Sequence, residues 1–146
     1  MKVLATIERE PLNQTKENLI HLPCGLLGFE HLKRYVLLGN PEEAPFLWFE
    51  TPDDQSISFL VISPFVVMPN YQPELTAEDV SLLGLRTPQE AMIFNIVTLR
   101  GNHTATVNLK GPIVVNRTTL VGKQVIPVNA ANYAVQHPLV AADNPA

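Results

Sequence analysis

The chain has 146 residues, with ten basic and fourteen acidic side chains and a formal net charge of −4. That length fits one domain whose core needs no disulfide or metal, and a composition 46% hydrophobic and only 16% charged excludes an intrinsically disordered chain. The acidic balance argues against a protein that grips nucleic acid or an anionic membrane directly.

A lone cysteine, Cys24, leaves no intramolecular disulfide and fits a reducing compartment. The opening MKVLATIERE is broken by Glu8, Arg9 and Glu10, so it lacks the apolar core of a secretion signal. No segment reaches the ~18 apolar residues of a spanning helix. The expectation is a cytoplasmic protein.

In chain order, residues 3–7 alternate as a first strand and 13–18 form a polar loop. A short strand at 19–22 is stopped by Pro23, which cannot donate to a ladder. The apolar loop PCGLLGFE follows, with Gly25 and Gly28 placed to supply positive φ. Residues 30–34 predict one helical turn. Strands are expected at 35–38, 46–50 and 57–63, separated by the proline turns at Pro41 and Pro52.

The densest apolar run is FLVISPFVVMPNY, residues 59–71. Pro64 and Pro69 cut it into a strand and an irregular apolar exit. A helix over 76–84 has Thr76 to cap it, Asp79 as capping-box partner and Gly84 just past its end. Glu78 and Asp79 sit in its first turn, where the helix dipole favours acids. Pro88 opens a second short turn. Strands at 91–99, 104–109, 113–116 and 120–126 complete a mainly β, antiparallel, barrel-like single domain over residues 1–139, carrying one or two short helices. Residues 140–146 read as a flexible tail.

Catalytic signatures are missing. His21, His31, His103 and His137 are scattered, none paired with a cysteine or carboxylate at metal-ligand spacing. No phosphate-binding glycine loop and no nucleophile elbow is present. Cys24 reads as a small buried residue of a tight loop. The alternative is a small β-barrel hydrolase or lyase using Cys24 as nucleophile, and a structural oligomer subunit is a weaker third reading. Phe46, Trp48, Phe59 and Phe94 are expected in the core. Phe65, Met68 and Tyr71 fit either a satellite core beneath the helix or an exposed apolar groove.

Charge is distributed unevenly. From Tyr35 to Leu85 there is no Lys or Arg, whereas Glu42, Glu43, Glu50, Asp53, Asp54, Glu74, Glu78 and Asp79 all fall within that span. An apolar run inside an acid-only neighbourhood suits a binding module for a basic partner better than a catalytic cleft.

Several blocks in fixed order resemble the flagellar assembly factor FliW family, from about residue 1 to 139. Ile20-His21-Leu22-Pro23-Cys24-Gly25-Leu26-Leu27-Gly28-Phe29-Glu30 is similar to that family's I-x-F-P-x-G-L-x-G-F-E, with Leu22 and Cys24 replacing its usual Phe and charged residue. Pro45-Phe46-Leu47-Trp48, residues 59–75, TVNLKGPIVVN at 106–116 and GKQVI at 122–126 continue the match. The resemblance implies a small monomeric β-barrel-like domain without catalytic activity or cofactor. It implies binding to flagellin in the cytoplasm. When flagellin is secreted, the freed factor captures the RNA-binding translational repressor CsrA, so that flagellin synthesis follows export. On that basis Glu74, Glu78 and Asp79 are expected to form a negative rim for the repressor. Phe65, Met68 and Tyr71 are expected to supply an apolar contact beside that rim, with Met68 and Tyr71 expected to contact flagellin. Asn108, Lys123 and Gln124 are further partner-binding candidates, whose alternative role is holding hairpin backbone in register.

Overall fold

The structure, a computed structural model, describes residues 19–139. The predicted strand at 3–7, the loop at 13–18 and the tail at 140–146 lie outside those residues.

Nine strands form one antiparallel sheet: β1 (Ile20–His21), β2 (Arg34–Gly39), β3 (Phe46–Glu50), β4 (Ser58–Ile62), β5 (Ala91–Arg100), β6 (Thr104–Val107), β7 (Ile113–Asn116), β8 (Gly122–Gln124) and β9 (His137–Leu139). The spatial order is β1-β2-β3-β4-β5-β6-β9, and β7 pairs with both β5 and β8. The ten-residue β5 is the pivot. Its first half pairs with β7 and its second with β6, while β4 lies along its middle. Ile93, Phe94 and Asn95 are buried on consecutive positions because both faces of β5 are covered there. Among the described residues no strand ladder closes the sheet. A single bridge, His21 to Val121, with the His21 amide donating to Leu120 O at 2.9 Å, brings the start of β8 round to β1. The predicted mainly β, barrel-like fold is the observed one.

Three apolar clusters fill the interior. The largest centres on Tyr35 stacked on Phe49 at 4.5 Å, with Phe94 edge-on to Phe49 at 5.0 Å. Burial pushes the Tyr35 hydroxyl up to about 12. Of the other aromatics expected in the core, Phe59 is half-buried against it, Phe46 is half-buried against the cluster of Ile62, Tyr71 and Val107, and Trp48 is half-buried with its indole donating to Glu43 Oε1 at 3.1 Å.

Two helices decorate the sheet: α1 (Pro64–Val67) and α2 (Ala77–Leu83). The exit after residue 63 is therefore one helical turn rather than irregular chain. Ser63 caps it by accepting from the Phe65 amide at 3.4 Å, and Pro64 occupies the first helical position, where its missing N–H costs nothing. Met68 then turns extended ahead of Pro69. Residues 30–34 form no helical turn: the chain bends once, Leu32 N–H to Phe29 O at 3.0 Å, and enters β2. The expected positive φ is found at Gly25, at +67°, where a Cβ would lie 2.6 Å from Glu30 Cα. Missing from the sequence reading is β9, which contains Pro138. Among the described residues it lies on the edge of the sheet against β6, where proline leaves no ladder donor unmatched.

Candidate protein-interaction site

The α2 helix begins as its sequence dictates. Thr76 Oγ1 accepts from the Asp79 amide at 3.0 Å, and Gly84 adopts φ +65° at the other end. Asn116 at the end of β7 anchors that end from outside: its Nδ2 donates to Leu83 O at 2.8 Å. The expected capping box is incomplete. The Asp79 carboxylate does not reach back to Thr76; its Oδ1 accepts from Lys123 Nζ on β8 at 2.6 Å. Asp79 is only 5% exposed. It is thus a buried tie between α2 and the sheet rather than a rim carboxylate, and Lys123 is its counterion rather than a free contact. The pairing raises the Lys123 ammonium above its ordinary value.

Glu74 and Glu78 do face solvent. The Glu74 backbone is fixed by Asn129 Oδ1, which accepts from its amide at 2.9 Å, and by Val128 N–H, which donates to its carbonyl at 2.7 Å. The side chain stays outward, next to a segment whose Ile126 and Val128 are exposed while Val125 and Pro127 are buried. Among the described residues neither the Glu74 nor the Glu78 carboxylate makes a hydrogen bond or salt bridge, although Glu78 lies within reach of the Lys123 charge.

Tyr71 contradicts its assignment to an exposed groove. It is 1% exposed, and its hydroxyl donates to Leu109 O at 2.7 Å. Tyr133 packs edge-on at 4.7 Å and Phe65 at 6.2 Å. Desolvation drives its phenol pKa well upward. The satellite core is the correct reading here, and Met68 and Phe65 pack half-buried against the same cluster.

Asn108 and Gln124 hold backbone. Asn108 Oδ1 accepts from the Lys110 and Gly111 amides, both at 3.0 Å. Gln124 donates to Gly111 O at 3.1 Å and accepts from the Leu27 amide at 2.9 Å. It thereby ties the β6–β7 turn to the PCGLLGFE loop, so two blocks of the family-like sequence meet at one amide side chain. Cys24 in that loop is exposed, not buried as expected, because Gly25 and Leu26 take the interior positions. Its thiol makes no hydrogen bond among the described residues, and no group of three or more potential metal ligands forms there.

One feature was not read from the sequence. A groove of about 420 Å³ opens between the β2–β3 turn and α1, lined by Pro41, Ala44, Pro45, Phe46, Phe65 and Val66 among others. The turn is a 3-10 segment, Pro41–Glu43, capped by Asn40. The prolines at 41 and 45 and the apolar run at 65–66 were visible as composition, but their meeting required the register of β3 against β4.

The family model described as FliW protein matches residues 4–139. The chain is 36% identical over 125 residues to the flagellar assembly factor FliW of Clostridioides difficile, covering 85% of this chain and 95% of that one. It is 32% identical over 126 residues to that of Natranaerobius thermophilus, covering 85% and 83%. A crystal structure of the flagellar assembly factor FliW superposes with a TM-score of 0.79 at 28% identity, covering 91% of this chain and 93% of that chain.

Proposed function

The chain belongs to the FliW family of flagellar assembly factors, and from that premise we propose that it works by binding alone. It holds flagellin in the cytoplasm, keeps it soluble before export, and once flagellin has left it captures and antagonises a CsrA-type translational repressor. Flagellin synthesis is thereby coupled to export.

The observation that supports this reading is a surface whose acids are left without cations. Between Tyr35 and Leu85 the chain has no Lys or Arg. Among the described residues, the cations that pair with acids of this span come from outside it: Arg34 pairs with Asp53 and Lys123 with Asp79. Glu42, Glu74 and Glu78 are exposed and make no ion pair among the described residues. A protein that binds RNA must present a basic surface, and these acids are its electrostatic counterpart. Flagellin before assembly presents amphipathic segments whose apolar stripe needs a groove instead.

Gel filtration of an equimolar mixture of the chain, flagellin and repressor tests the switch. The reading predicts a chain–flagellin complex with the repressor eluting alone. A ternary complex would contradict it.

The exposure of Cys24 keeps a second reading open to test, a thiol-dependent hydrolase or lyase. A nucleophilic thiol requires a base within hydrogen-bond reach. Native labelling of Cys24 that is no faster than that of a free thiol at the same pH would exclude it.

A further inference from the structure

We draw no further inference here: the strongest candidate, the apolar groove between the β2–β3 turn and α1, carries nothing because nothing in the structure shows what covers it.

Discussion

Lys123 Nζ lies 2.6 Å from Asp79 Oδ1, and this pair joins β8 to the first turn of α2. The two residues are 44 positions apart. The pair decides which carboxylates of α2 are available to a partner, because it withdraws Asp79 from the surface and leaves Glu78 there.

Breaking the pair from the cationic side leaves a carboxylate buried and uncompensated. Lys123→Met is expected to cost about 2 kcal/mol of unfolding free energy, discounted because the lysine is partly solvated. The double variant Asp79→Leu, Lys123→Met is expected to recover most of that loss. Urea unfolding of the single and double variants measures both. Equal destabilisation by single and double would show that the pair is not coupled.

The same pair predicts a pH dependence. The hydrogen bond to Asp79 raises the Lys123 ammonium above its ordinary value. A group whose folded pKa is raised stabilises the fold fully below its unfolded value and loses that contribution as pH rises through the folded one. The Lys123 contribution is therefore flat through neutral pH and lost on the alkaline side, as pH rises through the raised value. Lys123→Met should remove the corresponding part of the alkaline decline.

On the acid side Glu90 behaves in the opposite sense. Its carboxylate accepts from the Arg86 amide at 2.6 Å and the Thr87 amide at 3.3 Å, and the Arg86 bond first of all holds its pKa below the usual carboxylate range. Its contribution is present above that range and disappears as pH falls through the lowered value. Glu90→Gln is expected to flatten the acid limb of a stability–pH curve, read by thermal melts between neutral and strongly acid pH.

Tyr71 separates stability from binding. Tyr71→Phe removes one buried hydrogen bond to Leu109 O and should cost about 1 kcal/mol. Tyr71→Ala opens a cavity among Phe65, Tyr133 and Leu109 and should cost about 3–5 kcal/mol. Tyr71→Phe is expected to leave flagellin affinity unchanged. A specific affinity loss in this folded variant would return Tyr71 to the interface.

Much of the fold could be read locally. The strand at Phe46–Glu50 alternates between half-buried and buried residues, and its predicted bounds are the observed ones. The helix over Ala77–Leu83 carries its own start and stop in Thr76 and Gly84. What could not be read depends on distant partners. Asp79 looks like a capping-box acid until Lys123 arrives from β8. Tyr71 looks like a surface aromatic until Leu109 and Tyr133 close over it. Cys24 looks like loop filler until the Gly25 bend turns it outward. β9 was hidden because Pro138 is tolerated only at an edge, and edges are a property of topology. The groove needed two segments, 39–47 and 63–66, brought together by the sheet.

The central claim is that the exposed, unpaired carboxylates of Glu74 and Glu78 bind a basic repressor in competition with flagellin. The most direct test is a calorimetric titration of the chain with its own organism's CsrA-type repressor, alone and after saturation with flagellin, repeated with Glu74→Lys, Glu78→Lys. The account predicts repressor binding that flagellin abolishes, and that the double reversal weakens most at low salt and less as the Debye length shrinks below about 10 Å. Repressor binding untouched by flagellin, or untouched by the charge reversal at low salt, would contradict it.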